Sequence, residues 1–400
     1  MRLIALLPFV FYACASFAEA AEVTVDIREI KGKTASGEAY AKGQMTTPLV
    51  KAKKASDPAA VKIAEKINDR LSFIDLQGTE SQQFTVTRND GRMLTISFEG
   101  EGCGAYCENY RTWYSFDLRD GSLMTPANLF TPNGMRALAV RLRQTQITRY
   151  REQLTELAKS LKATQPKPAS QPSKADTAQQ EIIDDLQARI ALNKSCLNDK
   201  IDQAKESANQ QVPSLFSYPG NLPFEMTDKA FKLTAGRCSN HASRALDDVG
   251  DVVLSLPYRE LAAWLTGYGK AALLNDGSAL PAERVYGQVL YGTLNTNAST
   301  ANAVAVVTTA AIATIPITML IEKGEENRLS GAYFYDRFRQ PIGLTGSLTG
   351  QTLDLKESSA PRPGEPAGDA TFRLTRTGHE LRGQWSNKAA NKAFEVRIAP

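Results

Sequence analysis

Histidine is nearly missing from this sequence: the chain has two, His241 and His379, with five cysteines among 400 residues. That scarcity speaks against a structural zinc site, which takes four thiolate or imidazole ligands. Charge of one sign is missing as well. The 47 Lys and Arg against 43 Asp and Glu leave +4 with both signs interleaved, so the concentrated basic face that nucleic acid needs is not there. No cofactor motif stands out, and the two cysteines closest in sequence, Cys103 and Cys107, have three residues between them rather than the two of a thioredoxin-like pair. The stretch Thr300 to Ile321 carries no charge and is long enough to span a bilayer. It is dominated by alanine and threonine, carries Pro316 and ends in the alternating "TIPITMLIEKG", which predicts a loop and a buried strand rather than a membrane span.

What is present begins with an export signal. Arg2, the apolar run Leu3 to Phe17 and the small-x-small triplet Ala18-Glu19-Ala20 read as a secretory leader covering residues 1–20. A periplasmic or secreted location is expected. Acylation at Cys14 is disfavoured, since "FYAC" lacks the leucine three residues before the cysteine. Without the leader, Cys103, Cys107, Cys196 and Cys238 remain, an even count in a compartment where disulfides persist.

A chain of this length exceeds one core, since single cores rarely grow beyond roughly 250 residues. Residues 21–270 begin with the alternating "EVTVDIREI" and a helix in "DPAAVKIAEKINDRL", where Asp57 caps and Pro58 opens the first turn. Hairpins follow around Asn89-Asp90-Gly91 and Asp120-Gly121. From Gly134 the period changes. Ile147, Tyr150, Leu154, Leu157 and Leu161, then Ile183, Leu186, Ile190 and Leu197 with Asn193 between, form the seams of an antiparallel helical arm over 134–207. The polar, proline-containing stretch Thr164 to Gln180 is its linker. The arm either packs on its own sheet or mediates self-association. "KAFKLTAGRC" and "GDVVLSLPYRELAAWL" add two strands that complete the first sheet and a helix from Tyr258 to Leu265. Residues 280–400 then alternate in short runs separated by turns, a β-meander that curls toward a barrel. The fold class is α+β, a helix on an antiparallel sheet with an inserted helical hairpin, followed by a small antiparallel barrel.

A local disulfide between Cys103 and Cys107 would close a tiny loop and hold Tyr106, Glu108, Asn109, Tyr110 and Arg111 in a fixed display. Plain stapling and recognition are both open readings, tyrosine and arginine being favoured contact residues. Cys196 and Cys238 would then pair, although four cysteines allow three connectivities. His241 lies near Ser239, Ser243, Asp247 and Asp248 with no Gly-x-Ser-x-Gly elbow, which reads as a polar loop rather than a triad. Asp336, Asp354 and Glu357 offer the carboxylates for an envelope hydrolase, the contrasting function. Tyr333, Tyr335, Phe338 and Trp385 read mainly as barrel filling.

The ordered set "KIAEKINDRL", "TRNDGRMLTISFEGEG", "YSFDLRDGSLMTPANLF", "PFEMTDKAFKL" and "VVLSLPYREL" resembles the extracellular domain shared by PdaC-type peptidoglycan deacetylases and RsiV-type lysozyme-sensing anti-sigma factors. The likeness spans roughly residues 22–265, with Leu256-Pro257-Tyr258 as the closing triplet. Two loops depart from it, Gly102 to Cys107 and "GRCSNHASRALDD", and both carry cysteines. The resemblance implies a non-enzymatic binding role toward a cell-envelope component, either a lysozyme-like protein or peptidoglycan glycan. Thiol titration of the denatured, unreduced mature protein should find fewer than one reactive group per chain; two or more would refute the two-bridge scheme.

Overall fold

The computed structural model describes residues 21–34, 37–74, 76, 78–103, 107–165, 174–209, 222–240, 242–276, 285–295, 314–358 and 368–399. Residues 1–20 with Cys14, Tyr106, His241 and the first part of the uncharged run from Thr300 lie outside these residues. The architecture is α+β. β1 (Val23–Glu29) and β2 (Thr46–Ala52) form a two-stranded antiparallel sheet. Pro48 sits in β2 opposite Ile27, a placement open only to an edge strand.

α1 (Pro58–Leu71) starts where Asp57 accepts from the backbone N–H groups of Ala59 and Ala60, each at 3.1 Å. Its apolar stripe Ile63, Ala64, Ile67 and Leu71 is buried against Leu94, Ile96, Phe98 and Phe116. Those residues belong to a second sheet in sequential order, β3 (Thr79–Asn89), β4 (Met93–Cys103), β5 (Cys107–Asp117) and β6 (Ser122–Leu123). Asn68 ties β2 to the helix by accepting from Val50 N–H at 2.9 Å and donating to Val50 C=O at 2.8 Å. β2, unmarked in the sequence, is thus held from the side as much as by its ladder.

After α2 (Pro126–Leu129), α3 (Pro132–Thr164) and α4 (Lys174–Asn209) form the helical arm. The polar linker is shorter than the expected Thr164–Gln180. α3 runs through Thr164 and α4 begins at Lys174, because Ala175, Ala178, Gln179, Gln180 and Glu181 are competent helix formers. The seam is buried at Ile147, Tyr150, Leu157, Ile183 and Cys196.

β7 (Phe224–Met226), β8 (Ala230–Ala235) and β9 (Val252–Pro257) form a sheet of their own rather than completing the first one. β6 already pairs with the outer edge of β5, so the later strands meet β4 through the Thr95 hydroxyl, which donates to Met226 C=O at 3.2 Å. The expected helix from Tyr258 to Leu265 is a single 3-10 turn, Tyr258–Leu261. The true helix, α5 (Gly267–Leu274), starts after Thr266, whose hydroxyl accepts from Gly269 N–H at 2.9 Å.

The C-terminal strands β10 (Val289–Asn295), β11 (Thr314–Lys323), β12 (Arg328–Tyr335), β13 (Ile342–Thr349), β14 (Thr352–Glu357), β15 (Ala370–Thr377), β16 (Glu380–Asn387) and β17 (Lys392–Ala399) close into a barrel. β17 pairs back on β10 through Gly292↔Ile398 and Leu294↔Val396, so the sheet has no free edge. Alternate residues fill its interior, among them Leu290, Met319, Tyr333, Leu344, Leu355, Phe372, Trp385 and Val396.

The last turn of α1 holds the barrel wall. Asp69, 5% exposed, accepts from the Arg339 guanidinium and from the Tyr291 hydroxyl at 3.1 Å. Arg70, 7% exposed, reaches Glu322 at 3.2 Å and lies over the Tyr114 ring. Phe73 stacks on Phe334 with ring centroids 5.0 Å apart. Burial, with Asp69 beside it, pushes the Tyr291 phenol well above its ordinary range. Nearby, the buried Gln288 amide accepts from Leu123 N–H at 3.1 Å and donates to Leu123 C=O at 2.9 Å. Asp69→Ala should cost about 1–3 kcal/mol in denaturant unfolding, below the full penalty for a buried pair because Arg339 is half in solvent. A double-mutant cycle with Arg339→Ala should show coupling, and strictly additive losses would count against the pair.

Candidate functional site

The stapled segment is the far end of a long β-hairpin rather than a free loop. Cys103 and Cys107 face each other as the last register pair of β4 and β5, with Cα atoms 4.0 Å apart and their sulfurs bonded. Glu101 adjoins both sulfurs, yet a disulfide offers no thiolate to a metal.

The display differs residue by residue. Tyr110 is half-buried, and its hydroxyl donates to Gln82 Oε1 at 2.9 Å. It lies over Gly100, where a Cβ would come within 2.8 Å of the Tyr110 hydroxyl. Burial raises its pKa. Tyr110 therefore packs the hairpin and presents little surface to a partner. Glu108, Asn109 and Arg111 are exposed. Glu108 reaches Arg244 at 2.6 Å, and Arg111 pairs with Glu99 across the ladder. Tyr106 lies outside the described residues.

The second bridge, Cys196–Cys238, joins α4 to the polar loop with Cα atoms 5.8 Å apart. Asp247 organises that loop, accepting from Ser239 N–H at 3.1 Å and Gly250 N–H at 3.2 Å. Asp248 pairs with Arg189 of α4 at 2.5 Å. The buried Asn193 donates to Arg189 C=O at 2.8 Å and Leu246 C=O at 3.4 Å. The seam asparagine is thus engaged within the chain. Burial and the nearby Asp247 carboxylate push the Tyr150 phenol up to about 12.

The three barrel carboxylates do not share a site. Glu357 is buried inside and accepts from the Tyr333 hydroxyl at 2.6 Å. Asp354, three residues earlier on β14, is on the outer face beside Arg373 at 3.6 Å. Asp336 accepts from Thr318 at 2.7 Å, at the wall that α1 covers. Tyr333 and Trp385 are core residues, Trp385 stacking on Phe394 at 5.0 Å, whereas Phe338 is exposed.

Sequence reasoning missed a groove. A cavity of about 830 Å³ is lined by Asn133, Arg136, Val140, Arg141, Leu256 and Trp264, among others. A second of about 430 Å³ continues it along Arg149 and Leu254–Pro257. Gly134 lets α3 approach the Trp264 backbone closely, since a Cβ there would lie 2.1 Å from Trp264 C=O. Ala137, Val140 and Gln144, at helical spacing opposite the buried seam, were the available signal.

No family model and no curated protein matches the sequence. Among solved structures, the chain is similar to a crystal structure described as a member of the DUF3298 family from Bacteroides fragilis. The identity is 11%, with 62% of this chain and 95% of that one covered at a TM-score of 0.33. The two share too little geometry at that score for one to speak for the other.

The chain-entropy relation ranks the two bridges, which span separations of 4 and 42 residues. Replacing Cys103 and Cys107 by serine should cost about 2 kcal/mol, and replacing Cys196 and Cys238 about 4 kcal/mol. Denaturant unfolding of the two double variants tests the order, which a larger loss at the hairpin would invert.

Proposed function

We propose that this protein is an exported, non-enzymatic binding protein of the cell envelope whose stapled hairpin takes a basic, lysozyme-like protein. The observation that carries the reading is charge at the closed end of the hairpin. Glu80, Glu99, Glu101 and Glu108 gather on the adjoining ends of β3, β4 and β5, against Arg111 and Arg244. Net negative charge on a preorganised rim steers a basic protein and costs little ordering on contact. A glycan would call instead for exposed aromatic platforms, and Tyr110 is engaged within the sheet. The resemblance to the domain of PdaC-type deacetylases and RsiV-type lysozyme sensors supports the same class of partner. Two disulfides suit an oxidising compartment, in keeping with the secretory leader. The hydrolase alternative loses support from the separation of Asp336, Asp354 and Glu357 onto different faces.

The test is retention of a basic lysozyme and of purified peptidoglycan by the immobilised mature protein. Lysozyme should be retained in a salt-sensitive manner, and Glu80→Lys with Glu101→Lys should weaken it about tenfold, or ~1.4 kcal/mol, with an unaltered melting curve. Retention of peptidoglycan in place of lysozyme, or indifference to the charge reversal, would remove the hairpin as this site.

A further inference from the structure

The end of the stapled hairpin gathers metal-type donors on one face. Residues directly opposite in an antiparallel ladder share a face, as do residues two apart along a strand. Cys103↔Cys107 and Glu101↔Asn109 are successive pairs of this kind at the end of β4 and β5, so two sulfurs, a carboxylate and an amide project from the same side. A carboxylate oxygen of Glu101 and both sulfurs lie within 4.8 Å of one another. The acids around them are not equivalent. Glu99 pairs with Arg111 and Glu108 with Arg244, whereas among the described residues no cation pairs with Glu101.

The hairpin does not depend on its bridge for shape. β4 and β5 are 11 residues each and pair along their whole length. β3 flanks β4 as far as Thr79↔Gly102, and Cys103 N–H donates to Gly78 C=O at 2.6 Å. Opening a bridge that spans a separation of 4 residues therefore leaves two thiols side by side on an intact ladder. The bridge is also within reach of a reductant. Cys107 is exposed, whereas Cys196 of the other bridge is wholly buried, and exchange needs an attacking thiolate to reach a sulfur.

We infer that Cys103, Cys107 and Glu101 form a redox-gated zinc site, closed while the cysteines are bridged and open to Zn2+ once the bridge is reduced. The reductant is a dithiol protein of the thioredoxin type. Its dithiol becomes a disulfide, and the two electrons and two protons it gives up convert the Cys103–Cys107 bridge into two thiols. Zn2+ then takes both sulfurs as thiolates and displaces the two protons. The sulfurs separate to roughly 3.8 Å, as two Zn–S bonds of about 2.3 Å at a tetrahedral angle require. Glu101 is the third ligand, and water takes the fourth position. Two soft thiolates with one hard carboxylate select Zn2+ over Cu+, which prefers sulfur alone. An open site with three protein ligands does without the histidines that are so scarce in this sequence. The inference is independent of the partner proposed for the hairpin, which concerns the bridged form.

The test uses the full mature protein, reduced anaerobically on immobilised thioredoxin and mapped by alkylation and mass spectrometry. Cys103 and Cys107 should be labelled at least about tenfold faster than Cys196 and Cys238. The reduced protein should bind one Zn2+ per chain in competition with a chromogenic chelator, and Co2+ in its place should give thiolate-to-cobalt charge transfer. The bridged protein should do neither. Glu101→Gln should weaken Zn2+ at least about tenfold while keeping the charge-transfer band and the melting curve. Cys103→Ser with Cys107→Ser should abolish the band, and Cys196→Ser with Cys238→Ser should leave it in place. Equal labelling of the two cysteine pairs, absence of the band from the reduced protein, or a Zn2+ affinity indifferent to Glu101→Gln would each overturn the inference. So would equal Zn2+ binding by the bridged and reduced forms.

Discussion

The last turn of α1 is the point on which the arrangement of the whole molecule depends. One stripe of this helix is committed to the sheet through Ile63, Ile67 and Leu71, and its C-terminal end carries Asp69 and Arg70 into buried positions against the barrel wall. Apolar contact alone, such as Phe73 on Phe334, is non-directional and tolerates sliding. Buried charged groups do not tolerate it, because displacement leaves a desolvated charge without its partner. The Asp69 contacts to Arg339 and Tyr291 and the Gln288 clamp on Leu123 therefore set the rotation of the barrel as well as its proximity.

A second set of constraints positions the helical arm. Gly134 lets α3 approach the Trp264 backbone, and Thr131 caps the helix by accepting from Gly134 N–H at 3.0 Å. At the other end of the packed region, Cys196–Cys238, Asn193 and the Arg189–Asp248 pair fasten α4 to the loop before β9. The same arm thus lays the buried face of α3 on the β7–β9 sheet, while Val140, Arg141 and Gln144 of α3 line the groove, a trough beside Leu256 of β9. The trough arises where those two faces meet, so it is a consequence of how the arm is anchored and not of any one residue.

The hairpin end and the groove beside α3 differ in physical character. The hairpin end is convex, charged and closed by a bridge, which suits rim electrostatics and a folded partner. The trough is concave and lies between α3 and β9, with Val140, Leu256 and Trp264 among its apolar lining residues. Neither needs a catalytic group, and the buried acid of the barrel, Glu357, is occupied by Tyr333. Burial together with the hydroxyl of Tyr335 and the Glu357 carboxylate keeps the Tyr333 phenol protonated far above its ordinary range, so this pair stiffens the barrel interior.

Local chemistry was legible in the sequence wherever it acts over a few residues. The cap at Asp57, the Asn89-Asp90-Gly91 turn, the 3.6-residue seam of the arm and the alternation of the barrel strands are all short-range patterns, and each is found in the fold. Pro48 concealed β2 because its tolerance depends on being at an edge, and the expected helix stops at Leu261 as a 3-10 turn, the next helix starting only after Thr266. Which side of Tyr110 faces solvent depended on Gln82, and that Glu357 rather than Asp354 points into the interior was decided only once β14 had a place in the barrel. The trough was hidden for the same reason. Its walls come from residues more than a hundred positions apart, and an open strand edge is a property of the pairing around it, which no stretch of sequence carries by itself.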